Sequence, residues 1–460
     1  MHAVRWLCLS LLLGPWVAAA QVVPEMVRLG VGFDPAVQGA QAQLRAAQQR
    51  VVQARAGFGP TVNLTGNLTE TRYREQPALN LRAFQAKQAA LQLSQPILKA
   101  TLFPALDGAR AQLLQAESAV VQAQLDAALR VTDACVDVLK SRETLALALA
   151  QRAEAEQQVA VTRGAFRIGT LPVTDVREAE AQVDRTAAEV IGAQADFALQ
   201  QQLLAELVGG AVADLAQRGL HGGQPPAPGP DSLQLWLAEA RLQNPQIIQA
   251  RHALDAAQAE VRKAELAHAP TADLNLSYNR SSDSGTFTSS FARSGESTAV
   301  GLSVNIPLFA SGATVSRVRE TVALRDKARA DVDAAERKAA LLVRQSHAVT
   351  LTALARAGGL EAAVRSQDLA LRAQRRGLEV GMKSAVDVFQ SQSRLFAARR
   401  ELAHARLDAW AGHLRLSGLA GQLSEADLLR FDAALVLQAQ PLLLQPRPAG
   451  RPSDPAPARP

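Results

Sequence analysis

Short segments of this chain alternate apolar and polar residues. Residues 61–73 place Val62, Leu64 and Leu68 on one face and mainly polar side chains on the other. A period of two with one apolar face predicts β-strands, and about ten residues suits a strand that crosses a membrane at a tilt. The alternative is a pair of half-buried hairpins in a soluble protein. The pattern predicts four strands, at about 61–73, 89–97, 271–280 and 298–307.

Most other segments carry helical patterns of unusual length. No proline lies between Pro104 and Pro172, and Ala, Leu, Gln, Glu and Arg dominate that stretch. Apolar residues recur there every seven positions, which is typical of a coiled-coil seam. The seam positions are Leu114, Val121, Ala128 and Cys135 in the first half, and Ala328, Ala335, Leu342 and Val349 in the second. The pattern predicts long helices at about 105–166 and 313–380.

Each long helix ends at a matched turn, R-I-G-T-L-P-V-T-D-V at 167–176 and E-V-G-M-K-S-A-V-D-V at 379–388. Gly169 and Gly381 suit the left-handed position that ends a helix. Ser384 suits the N-cap of the next helix, with Asp387 in its first turn. Helices are therefore predicted to return at 173–208 and 384–418.

The same order of elements occurs twice. Ten residues of the first half recur 210 positions later, and later matches are 211 or 212 positions apart. The first ten are Pro35, Leu44, Ala46, Ala47, Gln48, Val51, Ala54, Pro60, Thr61 and Leu64. A period this long indicates duplication of a large unit and not a solenoid. The predicted organisation is repeat 1 at 21–208, a linker at 209–231, repeat 2 at 232–424, a further C-terminal segment at 425–440 and a disordered Pro-rich tail at 441–460.

Composition and the N-terminal residues limit the function classes. Residues 1–20 contain Arg5, an apolar run and three alanines, which predicts a signal peptide and export from the cytoplasm. No lipobox-type cysteine follows the predicted cleavage site, so no lipid anchor is expected, and Cys135 is expected to be a buried small hydrophobe. A net charge of +6 on 460 residues does not suggest nucleic-acid binding.

No pattern of catalytic or cofactor-binding residues is present. The histidines beyond the predicted signal peptide lack metal-ligand spacing, and no phosphate loop or nucleophile elbow occurs. His404 and His413 are interpreted as surface or interface residues. The sequence thus predicts no enzyme, no cofactor and no metal. A periplasmic coiled-coil adaptor or structural protein is the competing class, and the paired strand segments argue against it.

Four strands are too few for a closed membrane barrel, whose smallest members have about eight. An open sheet edge cannot face lipid, so the barrel would have to be shared between chains. Two copies would supply eight strands and three would supply twelve, and the pattern by itself favours three only weakly.

Three segments of the second half resemble the TolC family of bacterial outer-membrane exit ducts. They are N-P-Q-I at 244–247, L-S-V-N-I-P-L-F-A-S-G-A at 302–313 and G-M-K-S-A-V-D-V-F-Q-S-Q-S-R-L-F-A-A-R-R-E-L-A-H-A-R at 381–406. The resemblance covers the whole predicted mature chain. It implies a mostly helical homotrimer with a twelve-stranded β-barrel in outer-membrane lipid, continued by a periplasmic α-helical barrel.

The resemblance also implies residue roles at the hairpin tips, which form the periplasmic entrance in the family. Asp387 matches an acidic pore position, and Lys383 takes a basic position that is usually Arg. Gln390 stands where a second acid is common, and Leu378 stands where the family has a gating tyrosine. A single ring of Asp would be less cation-selective, and Leu cannot donate the hydrogen bond of tyrosine.

In the first half, the equivalent sites are Asp175 and Glu178, which are expected to compensate in part. The simpler interpretation of Asp387 is a charge that only stabilises a helix N-terminus.

The expected function is therefore export through the periplasm and outer membrane from an inner-membrane transporter and a periplasmic adaptor protein. The absence of an anchoring cysteine favours type I secretion of a protein or toxin through an ABC transporter. The alternative is a duct for small molecules or drugs that serves a proton-driven pump.

Overall fold

The computed structural model describes residues 22–74, 81–210, 213–220, 225–226, 232–284 and 291–437. The predicted signal peptide and the predicted Pro-rich tail lie outside the described residues. Two compact units divide the chain. Unit 1 contains residues 1–35, 125–237 and 342–460, and unit 2 contains residues 36–124 and 238–341.

The described residues form ten α-helices and six strands. The helices are α1 Val22–Phe33, α2 Pro35–Ala56, α3 Leu102–Arg167, α4 Val173–Val208, α5 Ala213–Ala216, α6 Ser232–Gln243, α7 Pro245–Glu265, α8 Ala313–Glu379, α9 Ala385–Leu419 and α10 Glu425–Ala433. The strands are β1 Thr61–Arg74, β2 Leu81–Leu98, β3 Arg218–Leu220, β4 Thr271–Asp283, β5 Arg293–Asn305 and β6 Leu435–Leu437.

Unit 2 contains one antiparallel sheet in the order β1-β2-β4-β5. Val62, Leu64 and Leu68 of β1 are 59%, 76% and 72% exposed, and Val300 and Leu302 of β5 are 72% and 64% exposed. The registers place these residues on one face of the sheet, because residues on one face alternate along each strand. One chain therefore presents an apolar sheet face that no other described part of the chain covers.

Strand lengths differ from the sequence-based prediction. The second strand begins at Leu81 and not near 89, because it pairs along the whole length of β1, where Arg74 lies opposite Leu81. β4 extends to Asp283, and β5 begins at Arg293 and ends at Asn305 instead of 307. Residues 281–283 and 293–297, which lie outside the predicted strands, are thus strand, since cross-strand pairing outweighs weak local preference.

Helices of unit 2 begin where local chemistry predicts. Asn244 is the N-cap of α7, and its side chain accepts hydrogen bonds from the backbone N–H of Gln246 (2.9 Å) and Ile247 (3.4 Å). Pro245 occupies the first helical position, where a missing N–H costs nothing. The N-P-Q-I motif is therefore a helix start.

Unit 1 is built around a cluster of fully buried side chains. Cys135, Leu139, Leu204, Leu407 and Phe431 are all 0% exposed and belong to one apolar cluster. Cys135 is a buried hydrophobe as predicted, and burial raises the pKa of its thiol to about 12.

The predicted seam of the second half has the correct period but is one position out of register. Val349 is 58% exposed, whereas Val343, Thr350 and Ala357, also spaced by seven, are fully buried. Thr350 donates its hydroxyl to the carbonyl of Ser346 at 2.8 Å, so its polar group is satisfied inside the seam. The hydrophobic pattern missed this residue because a Thr with an internal partner behaves as a small apolar residue.

The segment predicted as a linker is also structured. Helix α5 and strand β3 lie within it, and β3 pairs with β6 near the end of the described chain. Arg142 of α3 donates to the carbonyl of Ala216 at 3.0 Å. Arg218 forms an ion pair with the buried carboxylate of Asp432 at 3.3 Å, and the backbone N–H of Val23 donates to the same carboxylate at 3.1 Å. The segment therefore joins the first and last described helices of unit 1.

Among the described residues, no helix is long and apolar enough to cross a membrane.

Candidate functional site

Two helical hairpins of unit 1 turn through the same motif. At Gly169, the N–H of Gly169 donates to the carbonyl of Phe166 and the N–H of Thr170 donates to that of Ala165. This pair of bonds is a Schellman motif. Gly169 has a φ of 77°, which glycine adopts without the Cβ penalty of other residues.

The second hairpin repeats this geometry 212 positions later. Gly381 also has a φ of 77°. Its N–H donates to the carbonyl of Leu378, and the N–H of Met382 donates to the carbonyl of Gly377. The left-handed glycines predicted from the sequence are confirmed at both turns.

The returning helices start differently in the two hairpins. Ser384 caps α9 as predicted, and it forms a reciprocal capping box with Asp387. The Ser384 hydroxyl accepts from the Asp387 N–H at 3.2 Å, and the Asp387 carboxylate accepts from the Ser384 N–H at 3.1 Å. Pro172 is the N-cap of α4 and supplies no side-chain hydrogen bond. The second turn is therefore the better fixed of the two.

Asp387 is held ionised by this cap. The hydrogen bond from the backbone N–H of Ser384 lowers the pKa of Asp387 below its ordinary value of 3.8, with smaller contributions from the Ser384 hydroxyl and the charge of Lys383. Its carboxylate thus carries a negative charge at neutral pH. The position is compatible both with a structural charge at a helix N-terminus and with an acidic group near the turn.

The other residues singled out from the sequence lie in different surroundings. Lys383 is exposed, and its backbone N–H donates to the carbonyl of Gly377 at 3.1 Å. Gln390 is exposed, whereas Leu378 packs against the buried cluster of Leu371 and Val388. Leu378 therefore contributes apolar packing between α8 and α9 at a position where the resemblance implies a tyrosine.

In the first hairpin, Asp175 lies in the first turn of α4 and Glu178 is exposed. The structure shows no side-chain cap at this start. A neighbouring carboxylate that the sequence reasoning missed, Glu180, binds two arginines. It accepts from Arg163 of α3 at 2.7 Å and from Arg177 at 2.9 Å, and the Arg163 bond is the larger cause of its lowered pKa.

The second missed group joins the two hairpins. Glu154 of α3 accepts a hydrogen bond from Nε2 of Gln392 at 2.7 Å and from Nη2 of Arg375 at 3.1 Å. Arg375 and Gln392 stand 212 positions after Arg163 and Glu180, so the second repeat sends its arginine to the first hairpin instead of to its own returning helix. The repeat offset relates Arg375 and Gln392 to Arg163 and Glu180, but it does not show which helix they contact.

Apolar contacts accompany this polar connection. Val159 of α3, Ala179 of α4, and Ala385 and Phe389 of α9 form one buried cluster. Small residues at Ala179 and Ala385, both 0% exposed, allow the helices of the two hairpins to approach closely. The hairpins are therefore packed side by side near their turns.

Comparison with known families decides the relationship. The sequence profile described as "Outer membrane efflux protein" matches residues 33–210 and 236–422, which is most of the chain and both repeats.

The chain belongs to the outer membrane efflux protein family.

Relatives with assigned names agree with this membership. The outer membrane protein TolC of Vibrio cholerae is 27% identical over 419 residues, covering 90% of this chain and 94% of the relative. The alkaline protease secretion protein AprF of Pseudomonas aeruginosa is 26% identical over 415 residues, covering 87% and 84%. The solved structure of the outer membrane protein VceC from Vibrio cholerae aligns with a TM-score of 0.71 at 20% identity, covering 87% of this chain and 96% of that chain.

Family membership fixes the location and class of the protein. As an outer membrane efflux protein, the chain is an outer-membrane channel that extends into the periplasm. Members of this family are channels and not enzymes.

Two histidines of this efflux protein that the sequence singled out, His404 and His413, lie in contacts between side chains. Nε2 of His404 lies 3.0 Å from the hydroxyl of Thr144, and burial is the main cause of its lowered pKa. His413 is 9% exposed and packs edge-on against Trp410. Helix packing buries His413 and partly buries His404, so of the predicted surface and interface alternatives the surface one does not hold for His413. No cluster of potential metal ligands occurs among the described residues.

Proposed function

We propose that this chain is the outer-membrane exit duct of a type I secretion system. It receives a protein or toxin from an inner-membrane ABC transporter and its periplasmic adaptor, and it conducts this substrate across the periplasm and outer membrane. The observation that carries the proposal is the combination, in one chain, of an exposed apolar sheet face with two long helical hairpins that end in matched turns.

The sheet supports a shared barrel. Its two outer strands, β1 and β5, are edges with free backbone groups, and such edges are not tolerated in lipid. Three copies close twelve strands, which leaves room for a lumen, whereas eight strands would be nearly filled by side chains. The proposed assembly is a homotrimer whose barrel lies in outer-membrane lipid and continues as a periplasmic helical barrel.

The choice of cargo rests on a relative. AprF is named for alkaline protease secretion, and it aligns with this chain over 87% of its length. A duct for small molecules is the second candidate, since the family is named for efflux. In that case, a proton-driven pump replaces the ABC transporter.

The proposed periplasmic entrance is at the two turns. Asp387 supplies a fixed negative charge, Lys383 an exposed positive charge, Gln390 a neutral polar surface and Leu378 apolar packing. The turn residues Gly169 and Gly381 shape the tips, with Asp175 and Glu178 on the first hairpin. The contact of Glu154 with Arg375 and Gln392 holds the two hairpins together next to these turns.

Crosslinking in living cells tests the partners. Lys383→Cys carries an exposed thiol at the proposed entrance, and Lys327→Cys on α8, the helix that precedes this turn, is the matched control in unit 2. Mass spectrometry of proteins crosslinked only through Lys383→Cys should recover an ABC transporter and an adaptor. Recovery of a proton-driven pump would favour small-molecule efflux, and absence of the protein from the outer-membrane fraction would refute the duct.

A further inference from the structure

The apolar face of the four-stranded sheet also carries charged side chains. Lys87 of β2 lies opposite Leu68 of β1, and Arg280 of β4 lies opposite Ala89 of β2. Glu296 of β5 lies opposite Arg280. Leu68 belongs to the apolar face, and residues that lie opposite each other or two positions apart along a strand share a face. Lys87, Arg280 and Glu296 therefore lie on the apolar face too.

The polar face of the sheet has a different composition. On β4, this face runs between Asp273 and Asp283. The positions between these two, and their partners on the other three strands, hold only Asn, Gln, Ser, Thr, Gly and Ala. On the lipid-facing side of a membrane sheet, a cation is costly at the bilayer midplane and costs little near the interfaces. The charges of the apolar face thus fit a position at an interface and not at the midplane.

These charges lie far from the end of the sheet at which the helices are attached. β5 ends at Asn305 and α8 begins at Ala313, so Val304 is near the helices. Glu296 lies eight positions before Val304. This spacing corresponds to about 26 Å along the strand. A strand tilt of about 40° reduces it to about 20 Å along the membrane normal, close to the height of about 25 Å of a lipid-facing apolar band. In the proposed duct, whose helices lie in the periplasm, the charges reach the outer leaflet.

A depression of about 450 Å³ lies among these side chains. Its lining includes Gly66 and Ala89, which lie directly opposite each other on β1 and β2. Both residues are small, and a Cβ on Gly66 would meet nothing within 4 Å. Lys87 and Arg280 also line the depression. They are diagonal neighbours on β2 and β4, so their backbones lie about 7–8 Å apart. Their long side chains can therefore reach one group placed above Gly66 and Ala89.

The charged cluster has an excess of positive charge. Arg280 pairs with Glu296 at 3.5 Å, and Arg72 pairs with Glu70, its neighbour on the same face of β1, at 2.8 Å. Within the part of the chain that the structure describes, Lys87 has no carboxylate partner. Three cations against two carboxylates leave a net charge of +1. A phosphate at the same depth would balance this charge, and it accepts hydrogen bonds from Lys and Arg alike.

We propose that Lys87 and Arg280 bind a phosphate of lipid A, the phosphorylated glycolipid of the outer leaflet, in the depression above Gly66. The inference rests on the proposed function, because it requires that the sheet lie in outer-membrane lipid. The level of the site selects this lipid over a glycerophospholipid of the periplasmic leaflet. Its several acyl chains match the apolar surface between the site and the helices, where Leu64 and Val300 are exposed. Basic side chains that bind lipid headgroups beside an apolar surface are a general mode of lipid recognition.

Native mass spectrometry of the full-length protein, extracted from outer membranes in a mild detergent, tests the site. The three probes are bisphosphorylated lipid A, the same lipid with both phosphates removed, and phosphatidylglycerol. Each probe is titrated separately, and the fraction of chains with bound lipid gives its dissociation constant. We expect the unmodified protein to bind bisphosphorylated lipid A on the order of tenfold more tightly than either of the other probes.

Substitution of the two cations tests their role. Lys87→Gln and Arg280→Gln each remove one charge-assisted hydrogen bond and should weaken lipid A binding on the order of tenfold. Lys87→Arg retains the charge and should retain binding, which separates recognition from folding. Arg293→Gln is the matched control, because Arg293 is an exposed cation of β5 on the polar face. Its dissociation constant should equal that of the unmodified protein.

Filling the depression tests the site without a change in charge. Gly66→Leu places a side chain where the phosphate would lie, and it should weaken lipid A binding about as much as the loss of one cation. Gly301→Leu is the control, because Gly301 lies on the polar face and a Cβ there also meets nothing within 4 Å. This control should bind lipid A normally.

Equal binding of lipid A with and without its phosphates would overturn the site. Tighter binding of phosphatidylglycerol would overturn the assignment to lipid A, and equal losses in Lys87→Gln and Arg293→Gln would overturn the role of the apolar face. In each of these cases the protein remains an outer-membrane duct. Absence of the unmodified protein from the outer-membrane fraction would instead refute the proposed function.

Discussion

Removal of the Glu154 carboxylate should loosen the contact between the two hairpins. The carboxylate binds Gln392, which is 4% exposed, and Arg375, whose side chain is 48% exposed. Glu154→Ala leaves the buried amide N–H of Gln392 without this acceptor, which costs about 1–3 kcal/mol. Arg375→Ala removes only a half-exposed ion pair, worth about 0.2–1 kcal/mol.

These costs convert to a change in channel opening at the proposed periplasmic entrance. If opening separates α3 from α8 and α9, the closed conformation bears the whole cost. Glu154→Ala then raises the ratio of open to closed channels by roughly 5- to 150-fold, and Arg375→Ala by at most about 5-fold. The order of the two variants follows from burial and not from charge.

Single-channel recording in planar bilayers measures this ratio directly. Glu156→Ala is the matched control, because Glu156 lies on the same helix as Glu154. Among the described ion pairs, its carboxylate binds only Arg152 of that helix. The control should behave like the unmodified protein. Equal open probabilities for Glu154→Ala and Glu156→Ala, or a larger effect of Arg375→Ala, would refute the reasoning.

Three further variants test other parts of the structure. Asp387→Asn should lower thermal stability at neutral pH, because folding lowers the pKa of Asp387 below 3.8. The stabilisation is present above pH 3.8 and should vanish as pH falls through the folded pKa. A difference in melting temperature that is equal at all pH values would contradict this prediction. Gly381→Ala places a Cβ at a φ of 77° and should lower the free energy of urea unfolding by about 1–2 kcal/mol. The control Gly358→Ala lies inside α8 and should be neutral or stabilising. Equal effects of the two variants would argue against a left-handed turn. Phe431→Ala should cost about 3–5 kcal/mol because the side chain is fully buried, while the exposed Leu235→Ala should change the urea midpoint little; a small effect at Phe431 would mean that the site collapses.

Much of the local structure was readable because it depends on neighbours in sequence. The Schellman turns need a residue without a Cβ at positions 169 and 381, and the capping box needs Ser384 and Asp387 three residues apart. The strand hairpins were located because alternation is a local property. The start of β2 was not located, since β2 begins where its partner β1 requires it.

Contacts between distant residues were beyond sequence reasoning. Glu154 is more than two hundred positions from both Arg375 and Gln392, and nothing in their local patterns distinguishes these three from polar surface residues. The buried seam at Val343 and Thr350 was missed because hydrophobicity alone classifies Thr as polar. Burial of a hydroxyl depends on the internal acceptor that the folded helix provides.

By itself, the sequence determined the duplicated order of elements, the helix starts and turns, and the family. Each of these follows from residue types at short spacing or from a constant offset. The tertiary structure decided strand lengths, the register of the buried seam, the packing of the presumed linker into unit 1 and the polar contact between the hairpins. These depend on which surfaces meet, and the free energy of burying or pairing a group exists only once its distant partner is in place.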